Sequence, residues 1–404
     1  MPGPYTEAPG PHLDVPDARV VDADVAGAVD RHLSALTAHR VAQAAGLDQG
    51  FGADLAERVA RFTLDGGKRI RPRFLWWALR ACEGGGAPRT AAALGLGAAL
   101  ELVQTCALVH DDVMDGAPVR RGRAALHVDV AAGSTGITGP RRARDFGTAV
   151  AILAGDLALA WADDVVAETV LAPAAAGRVR GIWRAMRTEM VAGQYLDLRG
   201  QASASRSPAH ALRAACLKSA LYTVERPLRL GAALAEADEA ATRALSSAGR
   251  CVGTAFQLRD DLDDLFADPR RTGKPRGGDI REGKPTYLLA VAQARAGAAG
   301  DRAALDVLEQ SVGRADLSDA DLDRVRDVVV ATGARRAVEE KTARLTAQGL
   351  RHLDSVALEP RAVGRLRDLV GTVTGTRPGL GAPRADGGPQ RPLRLAGGCG
   401  VSGR

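Results

Sequence analysis

A mostly apolar run from Leu102 to Val109 leads, at unbroken helical spacing, into His110-Asp111-Asp112-Val113-Met114-Asp115, and a related acidic run returns at Gln257-Leu258-Arg259-Asp260-Asp261-Leu262-Asp263-Asp264. On a helix, Asp111 and Asp115 lie one turn apart on one face with Asp112 flanking them. Asp260 and Asp264 repeat the arrangement, with Asp261 alongside and Gln257 a turn earlier. Carboxylates gathered within a turn repel one another unless a cation compensates. Hard divalent ions with oxygen ligands suit such a place, and Mg²⁺ is usually held by one or two carboxylates together with substrate phosphates. Two such faces opposed across a bundle would grip a diphosphate through bridging metals. A single cluster of this kind reads equally as a solvated helix face. Two copies, the first directly after an apolar run and both accompanied by basic motifs, favour a site.

Composition supports the helical setting. Aromatic residues make up 3% of the 404-residue chain while 46% is apolar, and Ala and Leu recur throughout. That balance favours close-packed helices over sheets, so the expected class is all-α, a single large helical bundle around a central cavity. Helical periodicity is punctuated by Gly84-Gly85-Gly86, Pro173 and Ser207-Pro208, and the Gly-rich stretch from Ala131 to Pro140, with Arg141, Arg142 and Arg144 after it, reads as an exposed loop. Residues 1–18, rich in proline, and 375–404, rich in Gly, Pro and Arg, read as disordered arms around a domain at 19–374.

The formal net charge of +6 raises the question of a nucleic-acid partner. Most of the excess sits in the tail, where Arg377, Arg384, Arg391, Arg394 and Arg404 face Asp386 alone. The body therefore has no basic face to support nucleic-acid binding. The five cysteines are scattered, with no CxxC pair and no secretory signal, and read as reduced thiols of a cytoplasmic protein, mostly small core residues. The longest apolar stretch, Ala91 to Leu100, falls short of the roughly 20 residues a membrane span needs, so no integral membrane segment is expected.

Basic motifs accompany the acids. Gly66-Gly67-Lys68-Arg69-Ile70-Arg71-Pro72 places Lys68 and Arg71 three apart beside a glycine pair whose backbone N–H groups can approach an anion. Arg120-Arg121-Gly122 follows the first cluster. Lys274 and Lys284 follow the second within a glycine-rich stretch unlike continuous helix. An ordinary basic helix start and surface lysines are the alternative readings of these segments.

In this order, GGKRIRP, HDDVMD followed by RRG, GQYLDL, a KS pair, QLRDDLDD and TGKPRGGDIREGKPT resemble the trans-isoprenyl diphosphate synthases, the polyprenyl synthetase family, over roughly residues 62–289. The resemblance implies a homodimeric, Mg²⁺-dependent prenyltransferase with three ions per active site. It would join isopentenyl diphosphate to an allylic partner (dimethylallyl, geranyl or farnesyl diphosphate). Asp111 and Asp115, supported by Asp112, resemble the first metal ligands, and Asp260 with Asp264, supported by Asp261, the second. Arg120, Lys218 and Lys274 resemble the allylic diphosphate ligands, with Ser219 after Lys218 and Gln257 beside that site. Lys68, Arg71, Gln104, Arg121 and the Gly67 backbone resemble the isopentenyl diphosphate site, and Gln194 and Asp197 lie near the metals and reacting carbons.

Four and five residues before Asp111 stand Ala107 and Cys106, where short-chain family members commonly carry bulky aromatics; Val103 lies one turn further. Small residues there imply a product longer than fifteen carbons, geranylgeranyl diphosphate first, with longer-chain and farnesyl synthases as alternatives. A class I terpene cyclase would carry an Asn/Ser/Glu motif in place of the second cluster. A non-catalytic subunit of a heteromeric synthase would show damage to one cluster, and both are intact.

Overall fold

The computed structural model describes residues 15–133, 136–203, 206–268 and 276–376. They form a helical bundle, relieved only by a two-stranded hairpin, Val119–Arg120 with Arg123–Ala124. Arg121 and Gly122 at its tip both have positive φ (53° and 75°), the backbone hand that lets a two-residue turn follow the twist of its strands. Sequence periodicity held no sign of these strands because each is two residues long.

The helix carrying the first acidic cluster, Ala87–Met114, runs through the core, with Leu96, Leu100 and Leu102 fully buried. Length and composition alone would let this helix cross a membrane, but 78% of its apolar window is buried within the fold. It packs against Pro140–Glu168, and the walls are completed by Ile70–Ala81, Pro173–Ala202, a wide-turned π segment Cys216–Glu225 continuing into Arg226–Leu234, and Glu239–Phe266 with the second cluster. The breakers act where their chemistry dictates. Pro173 and Pro208 occupy first helical turns, where the missing N–H costs nothing, and Ser207 caps the latter. The main core holds Phe74, Trp76, Met186, Leu230 and Leu245. A smaller one gathers Leu258, Leu262, Ile280, Leu288 and Leu322 beneath the second cluster.

Three expectations need adjustment. Order begins before residue 18: Asp17 caps the helix Ala18–Ala23, whose Val21 and Asp22 are buried, Asp22 accepting from Trp76 Nε1 at 2.9 Å. Residues 1–14 and 377–404, which hold most of both arms and Cys399, lie outside the described residues, as does Lys274. Of the four described cysteines, all unpaired, only Cys106 is buried; Cys82, Cys216 and Cys251 sit at the edges of packed helices. The arginines after Pro140 stand on the first turns of the Pro140–Glu168 helix, because Pro140 starts that helix and the loop ends before them.

Candidate active site

At the C-terminal end of the Ala87–Met114 helix the three first-cluster acids meet three cations. Asp111 Oδ1 accepts from Lys218 Nζ (2.9 Å) and Gln194 Nε2 (3.2 Å), while Arg120 approaches its Oδ2 at 3.5 Å. Asp112 is buried and takes Arg120 Nε at 2.7 Å, with a second, shorter contact from Arg120 Nη2. Lys284 Nζ lies 2.8 Å from Asp115 Oδ2 and 2.6 Å from Glu282. Lys218 also donates to Asp197 at 2.6 Å. Lys218, 107 residues beyond Asp111, arrives through the π segment. The close approach depends on Gly193, where a Cβ would lie 2.1 Å from the Lys218 backbone nitrogen.

Burial penalises charge here and the cations oppose it. For Asp111 burial pushes the carboxyl up, but Lys218, Lys284 and Arg120 together outweigh it and hold it below its usual range. For Asp112 and Asp115 burial prevails over Arg120 and Lys284 respectively, and both are raised. Burial lowers Lys218, yet Asp111 and Asp197 raise it further, so it stays an ammonium.

The second cluster is less uniform than its sequence. Asp260 is exposed, while Asp261 is buried, receives Gln257 Nε2 at 3.2 Å and is pushed up to about 7, chiefly by burial. The Asp264 carboxylate turns toward the short helix Gly278–Glu282, accepting from the backbone N–H groups of Gly278 (3.1 Å) and Asp279 (3.2 Å). Gln257 thus orients Asp261. Lys284, which follows the second cluster in sequence, reaches across to the first.

The glycine-rich motif sits beside a separate group of cations. Gly66 and Gly67 have φ of 79° and 111°, leaving Lys68 exposed at the rim. Arg71 stacks 4.3 Å above the Tyr222 ring and donates to Thr223 Oγ1 (3.1 Å); Tyr222 in turn donates to Gln104 Oε1 at 2.6 Å. Arg121 donates to the Asp65 carbonyl at 2.5 Å, beside the Phe62 ring. Ser219 is half-buried next to Lys218. Val103 and Cys106 are buried along the same helix, with Cys106 Sγ 3.7 Å from His110 Nδ1 and Ala107 half-buried.

Sequence reasoning assigned no role to Tyr222, Arg69 and Asp279. Tyr222 stands one turn after Lys218, so helical spacing carried a signal. Arg69 is buried, bridging Asp30 (2.6 Å) and Glu101 (2.7 Å), and its left-handed backbone (φ 47°) turns it away from its basic neighbours. Asp279 lay within a quoted motif, but only the fold sets it against Asp264 and Lys284, which leaves its carboxyl raised, first by burial and then by Asp264.

Among the described residues no three acidic, His or Cys side chains already converge on one point as a closed metal cage. The donor set nevertheless fits a hard cation shared with phosphates: Asp112 Oδ2 and Asp115 Oδ1 are buried without a hydrogen-bond partner, and Asp115 Oδ2 meets the Lys284 ammonium.

Known proteins place this geometry in a family. Residues 53–328 match the polyprenyl synthetase family model. A (2E,6E)-farnesyl diphosphate synthase of Mycobacterium bovis is 31% identical over 75% of this chain and 78% of its own. A geranylgeranyl diphosphate synthase of Methanosarcina mazei is 32% identical over 57% of this chain and 65% of its own. The crystal structure of a geranylgeranyl pyrophosphate synthase from Corynebacterium glutamicum, complexed with isoprenyl diphosphate and magnesium, superposes with a TM-score of 0.79 at 37% identity, covering 90% of this chain and all of that one.

Proposed function

Because the chain belongs to the polyprenyl synthetase family and is a prenyltransferase that elongates prenyl chains, we propose that it joins isopentenyl diphosphate to an allylic diphosphate with Mg²⁺ and releases geranylgeranyl diphosphate. The observation that carries this reading is the pair of buried carboxylate oxygens without hydrogen-bond partners, Asp112 Oδ2 and Asp115 Oδ1, ringed by Lys218, Arg120 and Lys284. Asp111, Asp115, Asp260 and Asp264 would hold the metals, three per site. Bound there with the allylic diphosphate, these ions supply electrostatic stabilisation for the leaving group.

The chain's own residues do the rest. Lys218 and Arg120, kept charged by their carboxylate partners, offer hydrogen bonds to diphosphate oxygens as negative charge develops on them when the allylic C–O bond breaks. Asp112 and Asp197 hold those two cations in place. Lys68, Arg71, Arg121 and the Gly67 backbone, with Gln104 fixed by Tyr222, orient isopentenyl diphosphate so that its double bond meets the allylic cation, and the adduct cation then loses a proton to the released diphosphate to form the product's new double bond. Burial of the cluster excludes water that would otherwise trap the cation. Asp261, Gln257, Ser219, Lys274 and Lys284 complete the diphosphate surroundings.

The small Cys106 and Ala107 leave the growing chain room along the Ala87–Met114 helix, which supports twenty carbons over fifteen; the modest Val103 lets a longer product compete. We place the enzyme in the cytoplasm as a homodimer, its 19–374 domain carrying the site. Incubation with Mg²⁺, isopentenyl diphosphate and each allylic primer, followed by mass analysis, yields a C20 diphosphate on this reading. A C15 end product would sink the geranylgeranyl assignment, and absence of elongation with every primer the whole reading.

A further inference from the structure

Away from the acidic clusters, a half-open cavity of about 280 Å³ lies between the first half of the Pro173–Ala202 helix, the Arg226–Leu234 helix and the start of Glu239–Phe266. Gly177, Arg178, Gly181, Arg226, Arg229 and Thr242 line it. Three guanidinium groups around one small cavity repel one another, so their partners matter. Arg226 is buried and pairs with Glu189 through Nε at 2.8 Å and a shorter second contact. Arg178 spends one N–H on the Ala237 carbonyl at 3.0 Å. Glu225, buried, is shared more thinly: Ser246 Oγ donates to it at 2.6 Å and Arg250 at 3.4 Å, while Arg226 and Arg229 reach no nearer than 3.9 Å. Three arginines thus divide two carboxylates.

Arg229 is the group left short. Its Nε is buried without a hydrogen-bond partner. Burial first and then the like charge of Arg226 hold its guanidinium below the usual value, the state an incoming anion would relieve. A buried, unpartnered charged donor is costly to a fold that gains nothing from it. The opposite wall is open: Gly177 and Gly181 stand one turn apart, and a Cβ at either would meet no atom within 4 Å.

We propose that this cavity is a second oxyanion site, distinct from the acidic-cluster site, which binds a phosphate or diphosphate group between Arg178, Arg226 and Arg229 with Thr242 as a hydroxyl donor. Planar guanidinium forks match such oxygens, and diphosphate is released at every condensation the enzyme carries out on the function proposed above.

Equilibrium dialysis of radiolabelled inorganic diphosphate against the full chain tests it, in EDTA and with Lys68→Ala and Arg71→Ala to remove the glycine-motif cradle. One diphosphate per chain remains bound. Gly181→Leu, which fills the cavity while removing no ion pair and meeting no neighbour at its Cβ, weakens that binding at least tenfold with the melting temperature not lowered; Arg229→Gln weakens it in parallel. Retention of no diphosphate, or binding indifferent to both substitutions, overturns the proposal. Competition identifies the source. A prenyl diphosphate no better than inorganic diphosphate marks the free anion as ligand, and one at least tenfold better marks a lipid headgroup whose chain follows the glycine wall. Failure of both inorganic phosphate and inorganic diphosphate to displace the label would also overturn it.

Discussion

Asp261 illustrates how far a single carboxyl can depart from its behaviour in water. Buried, and with Gln257 supplying the one hydrogen bond that favours its ionised form from within the helix, it is raised to about 7 from an ordinary 3.8. Between those values the unfolded chain has released a proton that the folded chain retains. In metal-free solution, therefore, stability falls as pH rises from about 4 to about 7, by an amount on the order of a few kcal/mol from this group. Thermal unfolding in EDTA at pH 5 and pH 7 should show that decline, and Asp261→Asn should flatten it; an undiminished decline in the variant would assign it to other groups. Much at this scale was legible in the sequence, since Asp111, Arg120 and Lys218 were singled out there and the fold brings both cations within hydrogen-bonding or ion-pairing reach of Asp111. Lys284 follows the second cluster in sequence yet pairs with the first, and nothing in local spacing says that a loop after residue 283 returns to Asp115.

Helices cannot bring Lys218 to Asp111 unless two backbones nearly touch. Gly193 makes that possible: an added Cβ would sit 2.1 Å from the Lys218 nitrogen and 2.4 Å from its Cα, backbone atoms that no rotamer change can clear. Gly193→Ala should therefore cost about 1–3 kcal/mol of stability and lower the rate of product formation by moving Lys218 away from Asp111 and Asp197. Paired thermal melts and steady-state kinetics check this; a variant with unchanged melting temperature and rate would show that the segments can part freely. In sequence the π segment Cys216–Glu225 shows only a KS pair, and the hairpin at Arg120 only a basic run that follows the first acidic cluster. Both are local departures from the α period, imposed by packing that propensity does not encode.

Across the whole molecule, Phe146, Ile152 and Leu153 on one long helix and Val191 and Tyr195 on the next remain exposed, between 40% and 71%. Apolar side chains of this size on neighbouring helices are what the proposed homodimer would cover. Sedimentation equilibrium should give twice the chain mass of 42.0 kDa, and Leu153→Glu should shift the population toward monomer; a wild-type monomer at micromolar concentration would refute the dimer. By itself the sequence determined what short-range spacing and composition can determine: an all-helical chain, acids placed on two helix ends, basic motifs following them, and the family these motifs share in order. Only tertiary structure decided which cation neutralises which carboxylate, that Asp261 faces inward while Asp260 stays exposed, and that Arg178, Arg226 and Arg229 surround one cavity. Those outcomes depend on contacts between residues far apart in the chain, where burial changes the cost of charge, and no local pattern records them.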